Sequence, residues 1–221
     1  AADHVYRMDV RQMAAFHVER AADVSVAAAP VPLEHASSFG VIAAAQDGRV
    51  RAFREKPQDP NPMPGDPKRA YASMGNYLFT PSALERLLKE SRRLGDVDFG
   101  RDILPRVASS SRVYAYDFST NEVPGIQDHE ERAYWRDVGT LAALAAAQQD
   151  VMGSQPKFNL WNRRWPIRGE HDAALLAKLR DWRKQARETE SAEAPLDEVK
   201  PVPAWQAAGR DPRTDERLHS S

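Results

Sequence analysis

Short apolar runs separated by helical segments constrain this chain more than any other feature of its sequence. Val24-Ser25-Val26-Ala27-Ala28-Ala29 reads as a buried strand, stopped by Pro30 and Pro32. Residues 39–44 read as a second strand, Asp47-Gly48 as a hairpin turn, and residues 49–54 as a half-buried return strand that alternates apolar and polar. Residues 72–79 and 113–118 add further strands, and Trp135-Arg136-Asp137-Val138 a short strand or turn. Helical segments lie between them. In residues 9–22, Val10, Met13, Ala14, His17 and Val18 fall at helical spacing behind Asp9 as N-cap. Pro81 and Ser82 open a helix with Leu84, Leu87 and Leu88 on one face, residues 98–107 hold a short one, and Thr140 caps another over 140–151. This alternation argues for an α/β layered domain.

The last third differs. Residues 169–187 contain an amphipathic helix with Leu175, Leu176, Leu179 and Trp182 on one stripe, and its bland role is intramolecular packing. Residues 188–221 are charged and proline-punctuated, and read as disordered. The expected division is therefore 1–168, 169–187 and 188–221. A formal net charge of −1 gives no reason to expect nucleic acid or an anionic membrane as partner, so an anionic substrate would need a local basic cluster. The chain has no cysteine, which removes disulfides and thiolate nucleophiles and fits a cytoplasmic location. No apolar run reaches the roughly 18 residues of a membrane span, and the first residues lack the pattern of a signal peptide.

Five segments combine residue types that carry chemistry. Asp3 can hold a divalent cation at a strand end or merely cap it. In Arg54-Glu55-Lys56-Pro57, Pro57 biases Lys56 towards an extended backbone. Lys56 then offers a point charge to a phosphate and Glu55 an acceptor to hydroxyls, or the two are an ordinary solvated pair. Gly75, in Ser73-Met74-Gly75-Asn76-Tyr77, marks a bulge or a close approach by a ligand. Asp98-Phe99-Gly100-Arg101-Asp102 reads as a helix start. Trp135, Arg136 and Asp137 place an aromatic ring, a cation and a carboxylate just before a helix cap, as an interior Trp with a surface ion pair would also do.

The order of these segments resembles bacterial ADP-glucose pyrophosphorylase (glucose-1-phosphate adenylyltransferase) from Asp3 to about Arg168. The run is Asp-His-Val-Tyr, Pro-Val-Pro-Leu-Glu-His-Ala-Ser-Ser-Phe-Gly-Val, Arg-Glu-Lys-Pro, Ala-Ser-Met-Gly-Asn-Tyr-Leu-Phe, Asp-Phe-Gly-Arg-Asp-Ile-Leu-Pro, Tyr-Trp-Arg-Asp-Val-Gly-Thr and Asn-Arg-Arg-Trp-Pro-Ile-Arg. Glu-Lys-Pro is shared with sister sugar nucleotidyltransferases; the last two segments point to the glucose-1-phosphate branch. The resemblance implies a partial Rossmann-like nucleotidyltransferase fold, a mixed sheet with flanking helices. It implies transfer of adenylyl from ATP to glucose 1-phosphate, giving ADP-glucose and pyrophosphate in glycogen biosynthesis by an allosteric, homotetrameric enzyme. It implies Mg²⁺ on Asp3 and Asp137, Lys56 on the sugar phosphate, and Glu55, Ser73 and Trp135 on the glucose, with Gly75 giving the sugar room.

Three departures qualify that expectation. The family's glycine-rich nucleotide loop is absent, Ala2 stands where the family has Gly, and no β-helix periodicity follows Arg168. The text after Gly169 is read as a frameshifted translation, which the other two frames of the DNA would test. An incomplete sheet would expose an edge and an apolar face, so the chain alone is expected to be inactive. The alternatives are a non-catalytic partner of a full-length subunit, docking through the 175–182 stripe, or a gene remnant without function.

Overall fold

Seven strands form two sheets in this computed structural model, which describes residues 3–167 and Asp181. The strands are β1 (His4–Tyr6), β2 (Val24–Pro32), β3 (Gly40–Ala44), β4 (Val50–Glu55), β5 (Arg69–Phe79), β6 (Val113–Asp117) and β7 (Trp135–Asp137). Five of them make a sheet in the order β4-β3-β5-β2-β6, and β1 pairs with β7 in a separate ribbon. Only the β2–β6 pair is parallel, so the sheet is mixed. The helices are α1 (Val10–Glu19), α2 (Pro81–Leu94), α3 (Leu104–Val107) and α4 (Leu141–Asp150). The amphipathic helix and tail expected over 169–221 lie outside the described residues, Asp181 apart.

The apolar run of β2 is buried on both faces, as a strand covered from two sides must be. Val24, Val26 and Ala28 pack with Leu87 of α2 and with Leu104 and Val107 of α3. Ala27 and Ala29 face the other way, onto Met13 of α1, Met74 and Trp135. The strand does not stop at Pro30, as the prolines suggested, but continues to Pro32. Pairing with β6 ends at Ala28, whereas pairing with β5 continues to Pro32. The prolines therefore stand where one side of the strand has no neighbour, and a missing N–H costs nothing there.

Helix faces differ from the sequence expectation in detail. Asp9 caps α1, its carboxylate accepting from the Arg11 N–H at 3.0 Å. The inward face is Met13, Phe16 and His17, at i, i+3 and i+4, while Val10 and Val18 are exposed. His17 is held by hydroxyls, Ser25 Oγ at 2.8 Å and Thr80 Oγ1 at 3.1 Å, rather than by apolar packing. On α2, Leu87 is buried and Leu88 is not, because Ala83, Leu87 and Ser91 make the inner stripe. Residues Phe99–Ile103 form one π-helical turn that runs into α3, and Thr140 caps α4.

Candidate active site

The ribbon of β1 and β7 places residues from distant parts of the chain side by side. His4 is opposite Asp137 and Tyr6 opposite Trp135. Just outside it, the Val138 N–H donates to the Asp3 carbonyl at 2.8 Å. The strand that Asp3 precedes is three half-buried residues outside the main sheet. Asp3, His4 and Asp137 present ligand atoms that all lie within 4.8 Å of one another. His4 Nε2 is 3.9 Å from Asp3 Oδ1 and 3.7 Å from Asp137 Oδ2. Among the described residues no lysine or arginine forms an ion pair with either carboxylate. Two carboxylates this close repel unless a cation lies between them, and oxygen ligands from both suit a hard divalent ion. The two carboxylates thus fit the Mg²⁺ that the resemblance implies.

A second cluster forms where β3, β4 and β5 run side by side. Glu55 pairs with Gly40, and Val41 pairs with Ala72, which brings Ser73 to the other side of Gly40. Gly40 is required there: a Cβ would meet Phe53 Cζ at 2.7 Å and Glu55 Oε2 at 3.0 Å. Gly100 is likewise close, its Cβ position 3.5 Å from Glu55 Oε2. The register of β2 and β5 breaks between Val26 and Ala28, opposite Tyr77 and Ser73, so β5 bulges around Gly75. Gly75 has φ +68°, a left-handed value that favours glycine.

Two residues with no role in the sequence reading join this cluster. Tyr77 is hydrogen-bonded to Ser73, and burial pushes its phenol up, with the nearby Asp98 and Glu55 carboxylates adding to the shift. Tyr77 and Asp98 both lie inside segments quoted for their pattern, and the β5 bulge and the π-helical turn bring Asp98 and Glu55 within electrostatic reach of the Tyr77 phenol.

Lys56 departs from expectation. Pro57 predicted an extended backbone, but Lys56 has φ +43°. Its N–H donates to the Phe39 carbonyl at 3.0 Å, which holds the turn after β4 against the entry to β3. A non-glycine residue held in this region before a proline stores strain, which concentrates at functional positions.

Trp135 joins the two clusters. Its ring packs against Phe39 at 5.2 Å and edge-on against His4 at 5.4 Å between centroids, leaving it 8% exposed. The neighbouring Arg136 turns outward to Glu131 at 2.5 Å and Asp150 at 3.1 Å. Contacts link the segments singled out in the sequence: Asp3 and Asp137 lie together, Met74 between Ser73 and Gly75 reaches His4 at 2.9 Å, Glu55 and the Lys56 backbone reach Gly40 and Phe39, and Asp98 acts electrostatically on Tyr77.

A mixed α/β sheet with flanking helices, and two carboxylates brought together at the β1–β7 ribbon, match the nucleotidyltransferase class. Residues 1–154 match the family model described as nucleotidyl transferase, and the chain belongs to that family. It is 52% identical over 167 residues to a glucose-1-phosphate adenylyltransferase of Thermodesulfovibrio yellowstonii, covering 75% of this chain and 41% of the relative. It is 48% identical over 180 residues to the proteins of that name from Mycobacterium bovis and Mycobacterium tuberculosis, covering 80% of this chain and 44% of each relative. The chain thus spans less than half the length of these relatives.

Proposed function

We propose that these residues form the sugar-phosphate and metal half of a glucose-1-phosphate adenylyltransferase, which makes ADP-glucose and pyrophosphate from ATP and glucose 1-phosphate for glycogen synthesis. The observation that supports this reading is His4, which stands between Asp3 and Asp137 and reaches the Met74 carbonyl between Ser73 and Gly75. Lys56 supplies the positive charge for the sugar phosphate. Glu55, Ser73 and Tyr77 offer acceptors and donors to glucose hydroxyls, and the Gly75 bulge keeps a side chain out of the sugar's path. Trp135 closes the floor between the sugar and metal positions, with only its edge reaching a ligand. Asp3 and Asp137 would hold Mg²⁺, which when bound stabilises charge on the transferred phosphoryl group.

Residues 3–167 include no glycine-rich phosphate loop, so the reading gives them no role in cradling the triphosphate. The pure chain is expected to release no pyrophosphate from ATP and glucose 1-phosphate. Calorimetric titration with glucose 1-phosphate and with ADP-glucose, in Mg²⁺, tests the proposal. Binding that is lost in Lys56→Ala supports it; a folded chain that binds neither ligand sinks it. A homotetrameric, allosterically regulated, cytoplasmic enzyme is the assembly this reading implies.

A further inference from the structure

The third member of the metal cluster has a role that the carboxylate pair does not explain. His4 is nearly buried, its side chain 11% exposed, and its two ring nitrogens face different surroundings. Nε2 faces the Asp3 and Asp137 carboxylates. Nδ1 is 2.9 Å from the Met74 carbonyl and 3.2 Å from the indole Nε1 of Trp135. A carbonyl only accepts and an indole N–H only donates, so one ring nitrogen cannot satisfy both. With the nearer partner, the Met74 carbonyl, accepting from Nδ1, the neutral ring turns its Nε2 lone pair to the space that a cation between the carboxylates would take. An imidazole that gives one N–H to a backbone carbonyl and turns its other nitrogen to a cation is the usual arrangement at metal centres.

We propose that His4 Nε2 is a third protein ligand of the cation, so that the site binds Mn²⁺ more tightly than its two carboxylates alone would. This inference rests on the proposed function only in taking Asp3 and Asp137 as cation ligands. An imidazole nitrogen is a softer donor than carboxylate or water, and it favours a transition-metal ion over Mg²⁺, which binds almost wholly through oxygen. Met74 follows Ser73 and precedes the Gly75 bulge, so the same strand that meets the sugar also fixes the tautomer of the metal ligand.

Electron spin-echo spectroscopy of Mn²⁺ bound to the full chain tests this directly. The wild type is expected to show modulation from one directly coordinated ¹⁴N. In His4→Phe, which keeps a ring at this position but has no ring nitrogen, the modulation is expected to disappear. Its Mn²⁺ affinity is expected to fall at least about tenfold and its Mg²⁺ affinity much less, so the ratio of Mn²⁺ to Mg²⁺ affinity falls. Mn²⁺ bound to the wild type with no nitrogen coupling overturns the proposal, whatever the variant does. Equal loss of both ions in a folded variant reduces His4 to a packing role and also overturns it, as does a wild type that binds no Mn²⁺. Nitrogen coupling in a chain that binds no glucose 1-phosphate would leave the ligand assignment standing and sink the proposed function alone.

Discussion

The backbone N–H of Gly139 donates to Oδ1 of Asp137 at 2.9 Å, folding the chain back on the carboxylate two residues before it. A methyl group at Gly139 would stand 3.0 Å from that oxygen and 3.1 Å from Oδ2 of Asp3. The glycine therefore keeps open the space that the proposed cation would take between the two carboxylates. Gly139→Ala is expected to lower affinity for Mn²⁺ and Mg²⁺ alike, by about tenfold or more. Because Gly139 is exposed, the melting temperature should barely change, within about 0.5 kcal/mol of stability. Cation titration followed by a thermal melt measures both; unchanged affinity would remove Gly139 from the site.

Lys56 separates backbone strain from side-chain charge. Its φ of +43° is costly for lysine and free for glycine. Lys56→Gly should hold or raise stability, by up to about 1 kcal/mol, while abolishing glucose 1-phosphate binding. Lys56→Ala should lose the binding without the gain. Urea unfolding and calorimetry on the two variants give the comparison.

Arg7 and Glu130 tie the end of β1 to the segment around residues 157–159. Their side chains are 6% and 2% exposed. Glu130 also accepts from the backbone N–H groups of Gln127 and Asn159, and the Arg7 guanidinium stacks on Phe158 at 4.3 Å and donates to the Asn159 carbonyl. Burial pulls the Arg7 pKa down and the Glu130 charge opposes it. Glu130→Ala leaves a buried cation unpaired and should cost about 3–5 kcal/mol, read from the urea midpoint. A loss below about 1 kcal/mol would mean that water reaches the guanidinium.

Asp9 gives a pH dependence of known sign. Hydrogen bonding from the Arg11 side chain holds its carboxyl down to about 2, against the opposing effect of burial. A depressed folded-state pKa adds stability that is complete above the ordinary carboxyl value near 4 and is lost as pH falls through about 2. Asp9→Asn keeps an acceptor for the helix cap but cannot titrate. Its stability should therefore change less than that of the wild type between pH 5 and pH 2, in denaturant titrations across that range.

Most of the strands and helices could be read from the sequence because each has a local cause. β2 is an unbroken apolar run, α1 has Asp9 as cap, α2 has Pro81 at its start, and Gly48 turns the hairpin with φ +82°. The misreadings came from context. Pro30 and Pro32 stay in a strand because β6 ends beside them, and Leu88 is exposed because α2 meets the sheet through Ala83 and Leu87.

For the candidate site, the sequence by itself determined the residue types: carboxylates at Asp3 and Asp137, the Glu55-Lys56 pair, the glycine in β5. Those are properties of single residues and their neighbours. Only the tertiary structure decided that His4 faces both carboxylates, that Trp135 packs inside, and that Asp98 and Glu55 come within electrostatic reach of Tyr77. His4 and Asp137 are far apart in the chain, and their meeting depends on a ribbon whose register no local pattern specifies. Side-chain periodicity fixes which face a residue takes within its own element; distances between elements are set by how whole faces pack, and that information is spread over the entire core.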